Sequence, residues 1–253
     1  MNLLLEARNV SKSYGAFQAL ENVNMSVHEN ELISVVGPNG AGKTTLVNLF
    51  TGLLSPTSGE VLFMGKNIAG VGPVALADRG MARAFQLIQI FPKLTVAETI
   101  AAAVISRQKK RWRLVARLSS DWRINERVRE VAEIFGLNHR LNSVAATLSQ
   151  GEKKLLDVAS AFALDPQVIL FDEPTSGVST ADKHAIMKTL IAAAKLAGVK
   201  GIVLVEHDMD LVAAYSNRII ALAGGRVLAD LPPERFFSDP HLIDTVIGKR
   251  KDH

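Results

Sequence analysis

The segment Gly37–Thr44 constrains what this chain can fold into more than any other part of the sequence. It reads GPNGAGKT, which fits the pattern G-x4-G-K-[ST], and it lies between a predicted strand, Glu31–Val36, and a helical segment, Lys43–Phe50. Its glycines allow backbone N–H groups to turn inward around a phosphate, and the helix N-terminus adds a partial positive charge. The sequence therefore predicts a nucleotide site in which Lys43 reaches the β- and γ-phosphates and the Thr44 hydroxyl binds Mg²⁺.

Two adjacent carboxylates indicate where catalysis takes place. Asp172 and Glu173 directly follow the apolar run Val168–Phe171, which we predict to be a central strand. Ligands of open α/β sheets bind beyond the carboxyl ends of the strands, so both side chains are expected to face the nucleotide. Asp172 is then placed to hold Mg²⁺ through water, and Glu173 to polarise the attacking water. Strand-end acids are often plain surface residues, and it is the phosphate loop that favours the catalytic interpretation.

The order of the predicted elements indicates an α/β fold. Hydrophobic patterning predicts strands first and, after residue 148, an alternation of helices and strands that is typical of a parallel sheet covered by helices. About two short elements are expected beyond Arg226. The predicted strands are Leu4–Val10, Phe17–Val27, Glu31–Val36, Glu60–Met64 (after a turn at Ser55–Gly59), Val168–Phe171 and Gly201–Val205, and the helices of the alternation are Gly151–Ala163, Ala181–Ala197 and one that begins near Asp208.

A helical insertion is predicted between the two parts of the sheet. Thr95–Ser106 and Ile124–Phe135 have helical character, and a basic stretch over 107–117 joins them. We therefore expect a single domain over 1–253, in which about 93–148 form a helical subdomain and about 1–92 and 149–253 form the rest. The basic stretch is either close to anionic lipid headgroups or a solvated helix face.

Composition excludes several classes of function. The chain has no Cys, which excludes disulfides, thiolate nucleophiles and cysteine-ligated metals and favours a reducing compartment. The N-terminal sequence meets charge at Glu6 and Arg8 too early for a secretory signal, and we expect no membrane-spanning helix. With 29 basic and 25 acidic residues the net charge is +4, which suits nucleic acid or an anionic membrane surface but is too small to decide between partners.

Together these motifs resemble those of the ATP-binding subunits of ABC (ATP-binding cassette) transporters, over nearly the whole chain. Leu148–Glu152 reads LSQGE, lies before the strand that ends at Asp172, and corresponds to the LSGGQ-like signature of that family. The resemblance implies a P-loop NTPase core with a parallel sheet, an N-terminal antiparallel β subdomain and a helical insertion. It also implies that the N-terminus of the signature helix faces the γ-phosphate of ATP held by a second cassette. Ser149 is equally typical of a helix N-cap, and the two roles are compatible.

The resemblance assigns roles to three further residues. Gln86, in Ala84-Phe85-Gln86, corresponds to the glutamine that bridges Mg²⁺ or the attacking water to the helical insertion. His207, after the last core strand, corresponds to the switch histidine at the γ-phosphate. Tyr14 stands where relatives carry the aromatic that stacks on adenine, although packing on Phe17 or on the sheet explains a strand aromatic nearly as well.

The complete set of expected site residues follows from the motifs and the resemblance together. The catalytic residues are Lys43, Gln86, Glu173 and His207, and the Mg²⁺ ligands are Thr44, Gln86 and Asp172. The residues expected to bind ATP are Tyr14, Gly37, Pro38, Asn39, Gly40, Ala41, Gly42, Lys43, Thr44 and Thr45 in one subunit and Ser149, Gln150 and Gly151 in the other.

Two residues depart from the family pattern. Gln150 stands where glycine is usual, and Ser179 ends a loop at which many relatives have aspartate, a change that could loosen communication between two ATP sites. ATP hydrolysis is still expected, because the expected catalytic and metal-binding residues are all present: Lys43, Gln86, Asp172, Glu173 and His207. The segments Arg79–Glu98 and Glu206–Met209 look most like the ATPases of bacterial branched-chain amino-acid uptake systems.

The resemblance also implies partners and a location. They are a second cassette, identical or homologous, membrane permease subunits and, indirectly, an extracytoplasmic solute-binding protein, with ATP and Mg²⁺ as cofactors and no nucleic acid. The chain would lie peripherally on the cytoplasmic face of the inner membrane, with the permease against Gln86 and Phe91–Val96. An exporter ATPase and a non-transport ABC module are the alternatives.

Overall fold

A computed structural model describes residues 2–84, 91–107 and 121–247. The chain forms two compact units. Unit 1 comprises Met1–Leu76, Val168–Glu173 and Lys200–His253, and unit 2 comprises Ala77–Gln167 and Pro174–Val199. The division predicted from the sequence, with a helical part over 93–148, stays a prediction.

The strands, in chain order, are β1 (Leu3–Tyr14), β2 (Phe17–His28), β3 (Glu31–Val36), β4 (Ser58–Phe63), β5 (Lys66–Asn67), β6 (Met81–Ala84), β7 (Val168–Asp172), β8 (Gly201–Val205), β9 (Arg218–Ala223) and β10 (Arg226–Leu231). The helices are α1 (Lys43–Phe50), α2 (Pro73–Asp78), α3 (Val96–Arg107), α4 (Trp122–Ile134), α5 (Gln150–Phe162), α6 (Thr180–Leu196), α7 (Met209–Tyr215), α8 (Pro233–Phe237) and α9 (Pro240–Ile247). Across these described ranges, none of the helices combines the length and the apolar character that crossing a membrane requires.

An antiparallel sheet in unit 1 has the strand order β2-β1-β4-β5. β1 pairs with β2 on one side and with β4 on the other, and the pairing with β4 shifts register between Arg8 and Ser11. Gly59 lies at this irregularity with φ +81°, and a Cβ there would come within 2.2 Å of the Asn9 carbonyl oxygen. Because the glycine permits such close approach, β4 begins at Ser58, two residues before the predicted start at Glu60.

A second sheet carries the site. In unit 1 its strands follow the order β10-β9-β3-β8-β7, in which β9, β3, β8 and β7 run parallel and β10 pairs antiparallel with β9. β3, β7 and β8 are buried along nearly their whole length, as expected for parallel strands covered on both faces. An apolar cluster of Val36, Ile219, Val212, Phe236 and Leu242 packs α7, α8 and α9 against the strands.

Unit 2 is mainly helical. α3, α4, α5 and α6 pack together, and the rings of Phe135 and Phe162 meet edge to face with centroids 5.2 Å apart. Backbone hydrogen bonds join residues 92–97, which lead into and begin α3, to residues 141–146, and one of them runs from the Val96 N–H to the Ser143 carbonyl at 3.0 Å. This ladder ties the start of α3 to the chain that leads into α5.

The α/β fold class expected from the sequence is confirmed, and so are the predicted helices and strands to within a few residues at their ends. β3, α1 and β8 have the predicted bounds. The expectation of two elements beyond Arg226 is wrong, because β10, α8 and α9 lie there among the described residues. The sequence analysis made no prediction for β6, a strand of four residues, or for β9, a buried strand of six residues.

Candidate functional site

The register of the parallel strands brings three chain segments to one edge of the sheet. Val35 of β3 and Asp172 of β7 both align with Val205 of β8. The phosphate loop that follows β3, the carboxylate Glu173 after β7 and the residues after β8 therefore emerge side by side. This is the carboxyl edge, where ligands of parallel α/β sheets bind.

The phosphate loop runs from the end of β3 to the start of α1. Gly42 caps α1 with φ +100°, and a Cβ there would lie 2.6 Å from Leu20 Cδ2 and 2.7 Å from the Ala19 carbonyl oxygen. A side chain at this position is therefore excluded both by conformation and by space. Asn39, Gly40 and Thr44 are exposed, so the loop and the first turn of α1 are open to a ligand.

Lys43 lies under this loop with 7% of its surface exposed. Its Nζ donates to the carbonyl oxygens of Gly37 at 2.6 Å and Pro38 at 2.9 Å. Burial lowers the pKa of Lys43 from its ordinary value, and the charges of Glu173 and Asp172 act in the opposite direction. An ammonium group has three N–H donors, so Lys43 keeps a third for a phosphate oxygen while the two carbonyls hold it in place.

The two predicted carboxylates differ in their surroundings. Asp172 ends β7 and is 4% exposed, whereas Glu173 is half-buried and has φ +51°, a conformation that non-glycine residues rarely adopt. The Glu173 N–H donates to the Val205 carbonyl oxygen at 2.9 Å, which extends the β7–β8 pairing by one residue. The strained backbone turns the Glu173 side chain out of the sheet toward His207.

His207 Nε2 lies 2.7 Å from Glu173 Oε1. An ionised carboxylate only accepts hydrogen bonds, so the ring nitrogen donates. The next residue, Asp208, caps α7 by accepting from the N–H groups of Asp210 and Leu211, and this fixes the turn on which His207 stands. The structure thus brings together two residues that are 34 positions apart in the chain.

Sequence reasoning missed Glu206, the residue before His207. It is 4% exposed, and its Oε2 accepts from the His207 N–H at 2.9 Å and the Asp208 N–H at 3.4 Å. The signal in the sequence was an acid directly after the apolar strand β8. Its place in the structure is under the turn, where it orients the backbone that presents His207.

Tyr14 and Phe17 lie opposite each other at the end of the β1–β2 hairpin. Tyr14 is 47% exposed and Phe17 is 65% exposed, and Lys12 Nζ lies 5.4 Å from the centre of the Tyr14 ring. The exposed aromatic surface suits stacking on a base, and the paired register also suits the packing interpretation. The stacking of Tyr14 on adenine stays a prediction.

The signature segment Leu148–Glu152 lies in unit 2, at the N-terminus of α5. Ser149 is the N-cap, and its Oγ accepts from the Glu152 N–H at 3.2 Å while the Ser149 N–H donates to Glu152 Oε2 at 2.8 Å. This reciprocal capping box is the N-cap role anticipated for Ser149. Gln150 and Gly151 form the first turn and line a cavity of about 470 Å³ together with Gly177, Ser179 and Asp182.

The loop with the second departure is held within unit 2. Ser179 Oγ donates to Asp182 Oδ2 at 2.6 Å at the start of α6. From the side of α5, Lys154 Nζ donates to the carbonyl oxygens of Pro174, at 3.0 Å, and Ser176. Sequence reasoning gave Lys154 no role, and its two backbone contacts connect the signature helix to the loop that follows Glu173.

Several predictions fall outside the described residues. Gln86 lies there, as does the basic stretch apart from Arg107, whose Nη1 donates to the Asp78 carbonyl oxygen at 2.9 Å. Phe91, at the start of the predicted permease contact, is described and is 60% exposed. In the ranges that the structure covers, no group of three or more His, Cys, Asp or Glu side chains is arranged to hold a metal ion.

Residues 20–176 match the family described as ABC transporter. The chain is similar to a probable branched-chain amino acid transport ATP-binding protein, LivG, of Archaeoglobus fulgidus, with 32% identity over 97% of this chain and 95% of the relative. It is also similar to the high-affinity branched-chain amino acid transport ATP-binding protein LivG of Escherichia coli K12, with 30% identity over 97% of this chain and 98% of the relative.

The chain is also similar to solved structures of ATP-binding cassettes. An ATP-binding cassette of an ABC transporter in its ADP conformation superimposes with a TM-score of 0.85 and 28% identity, over 98% of this chain and 100% of the other. A dimeric ATP-binding cassette in a post-hydrolysis state, bound to ADP and Pi, gives a TM-score of 0.76 and 27% identity, over 91% of this chain and 99% of the other.

Proposed function

Because this chain belongs to the ABC transporter family as an ATP-binding, ATP-hydrolysing subunit, we propose that it powers the import of branched-chain amino acids or a related small polar solute. The observation that carries the proposal is the meeting of the Lys43 loop, Glu173 and His207 at one edge of a parallel sheet. The choice of solute is supported by the names of the relatives from Archaeoglobus and Escherichia coli.

In the proposed hydrolysis, the backbone N–H groups of residues 37–45 and Lys43 hold the phosphates of ATP. Glu173 accepts a proton from the attacking water, and His207, which already donates to Glu173, holds the γ-phosphate and the carboxylate in one arrangement. Tyr14 offers an exposed ring on which the adenine base of ATP stacks. Positioning and charge neutralisation supply most of the rate, because the reacting phosphoryl group needs little covalent help.

The residues present fit a Mg²⁺ ion bound with the nucleotide. Mg²⁺ prefers oxygen ligands and is usually held by one or two protein groups plus phosphates and waters, so a cluster of several acids is not required. Thr44 offers an exposed hydroxyl, Asp172 offers a carboxylate at the strand end, and Gln86 is the further ligand expected from the sequence. Bound there, Mg²⁺ would neutralise charge on the phosphates.

We propose that two cassettes close on ATP. The N-terminus of α5, with Ser149, Gln150 and Gly151, meets the γ-phosphate bound to the other subunit, where the helix dipole favours an anion. Ser149 Oγ accepts a backbone N–H in its capping role, so its hydroxyl hydrogen is still available to donate to a phosphate. The dimeric relative bound to ADP and Pi supports this arrangement.

The remaining partners follow from the same proposal. Membrane permease subunits dock near Gln86 and Phe91–Val96, and the exposed Phe91 ring supports an apolar contact there. The chain then lies peripherally on the cytoplasmic face of the inner membrane, and an extracytoplasmic solute-binding protein delivers the solute to the permease.

Replacing Glu173 with Gln tests the catalytic part of the proposal. The amide cannot accept the proton, so we expect ATP turnover to fall by about 10²–10⁴-fold, while ATP-dependent dimers accumulate because hydrolysis no longer separates them. Turnover and size-exclusion mass with and without Mg·ATP measure both effects. Glu60→Gln, at an exposed position of β4, is the control.

Turnover of Glu173→Gln at the wild-type rate would contradict the assignment of the base. An uptake experiment in cells tests the transport part of the proposal. In a strain that lacks the chain, we expect the wild-type chain to restore uptake of labelled leucine and Glu173→Gln to fail to restore it. Uptake that does not depend on the chain would contradict the choice of solute, even if the ATPase result holds.

A further inference from the structure

The signature segment carries an acid at the end that faces the proposed phosphate. Glu152 is the third residue of α5, and both of its carboxylate oxygens are engaged: Oε2 accepts from the Ser149 N–H at 2.8 Å and Oε1 accepts from Arg140 Nε at 2.8 Å. The Ser149 N–H and, to a lesser extent, Arg140 hold the pKa of Glu152 below its ordinary value. Glu152 is therefore ionised at neutral pH.

A negative charge at this place has opposite effects before and after ATP binds. In the separate subunit it interacts favourably with the N-terminus of α5 and closes the capping box. When a phosphate approaches the same helix end, the carboxylate competes with it for the dipole and repels it. A cation bound to Glu152 removes this conflict, because the pair presents no net charge to the phosphate.

Arg140 is that cation, and its backbone is firmly placed. It ends a short 3-10 turn, Asn138–Arg140, and its carbonyl accepts from the Ser143 N–H at 2.7 Å. The following residues pair with the start of α3, where the Ala97 N–H donates to the Leu141 carbonyl at 3.0 Å. The His139 ring lies on the same side, with its Nε2 3.8 Å from Glu152 Oε1.

We propose that Arg140 is a positioning residue for ATP-dependent dimerisation. Arg140 neutralises Glu152 and fixes its carboxylate, so that the N-terminus of α5 accepts the terminal phosphate. The inference rests on the proposed function, in which that helix end meets ATP held by a second subunit. In the separate subunit the Arg140–Glu152 pair is partly exposed and contributes little to stability. Its main effect appears when the closing dimer excludes water from around it.

The test compares Arg140→Gln in the wild-type background and in Glu152→Gln. In the wild-type background we expect the ATP concentration for half-maximal dimerisation to rise about three- to tenfold, with the melting temperature nearly unchanged, because an unpaired carboxylate repels the phosphate. In the Glu152→Gln background the same substitution should have less than about a twofold effect, since no charge remains to be neutralised. Arg140→Lys should keep most of the wild-type behaviour.

Arg127→Gln is the matched control, because Arg127 also pairs with carboxylates in unit 2, those of Asp165 and Glu130, away from the signature segment. Equal effects of Arg140→Gln in the two backgrounds would overturn the proposal, and so would no effect in either. If Arg140→Gln alone does not fold, the double variant with Arg140→Gln and Glu152→Gln tests the proposal. It should dimerise at the same ATP concentration as Glu152→Gln, and failure to do so contradicts charge neutralisation. Absence of ATP-dependent dimers in the wild type and in Glu173→Gln contradicts the proposed function instead.

Discussion

Single residues near the site combine a structural contact with a chemical one. Ser149 caps α5 through its Oγ, Asp208 caps α7 and so fixes His207, and Glu173 has a strained backbone that turns its carboxylate toward the His207 ring. Positive φ at a non-glycine residue costs free energy and persists only where neighbours impose it. The β7–β8 pairing imposes it here, since the Glu173 N–H is bonded to Val205.

The depressed pKa of Glu152 predicts a pH dependence of stability. Hydrogen bonds from the Ser149 N–H and Arg140 keep its folded-state pKa below the ordinary 4.5, so the unfolded chain binds the proton more readily. The stabilisation from Glu152 is therefore present above about pH 4.5 and lost as the pH falls through the folded-state pKa.

Urea unfolding of the wild type and Glu152→Gln at about pH 7 and about pH 3 measures this effect. The wild-type advantage in the free energy of unfolding should shrink at the lower pH. Glu126→Gln, at an exposed position of α4, shows the general effect of removing a carboxylate. A wild-type advantage that grows on acidification would contradict the assignment.

At the scale of elements, the helix that begins at the signature segment also holds the loop after the catalytic acid. Lys154 lies one turn into α5, and its ammonium group bridges the carbonyl oxygens of Pro174 and Ser176. Because one ammonium group on α5 donates to two carbonyl oxygens of the loop, it restricts the loop between Glu173 and α6. Element ends likewise depend on single contacts: α4 begins at Trp122 because the Asp121 side chain accepts from the Arg123 N–H.

Lys154→Met tests whether this bridge matters for turnover. The substitution keeps the length of the side chain and removes its donors, so we expect kcat to fall about tenfold while the KM for ATP changes less than about twofold, because the loop positions catalysis and not the phosphates. Lys154→Arg should restore most of the rate. Lys188→Met, an exposed position of α6, is the control, and an equal loss of kcat there would show that the bridge is not the cause.

At the scale of the whole molecule, the hydrolytic site is assembled from distant parts of the chain. Unit 1 contains three separate stretches, and each contributes one element of the site: the Lys43 loop, Glu173 and His207. A ligand that contacts all three stabilises the folded state of the unit as a whole. Binding therefore has a direct effect on thermal unfolding.

Mg·ATP at about 100 times its Kd should stabilise the wild type by about 2.7 kcal/mol, which corresponds to roughly 5–10 °C in Tm for a chain of this size. Lys43→Met should lose most of this shift, since the two loop carbonyls hold the Lys43 ammonium group where the phosphates are proposed to bind. Lys66→Met, on the exposed strand β5, should keep the shift. Scanning fluorimetry measures it, and a full shift in Lys43→Met would contradict its role at the phosphates.

The sequence by itself determined the phosphate loop, the bounds of β3, α1 and β8, the α/β class and the family, because these depend on local spacing, periodicity and ordered motifs. Only the tertiary structure decided which carboxylate faces His207 and how Gly59 moves the start of β4. It also decided that Arg140 bonds to Glu152 of the signature helix and that Lys154 bonds to the loop after Glu173. Those contacts join residues that are 12 to about 50 positions apart. They arise from strand register and helix packing, which no local pattern in the sequence specifies.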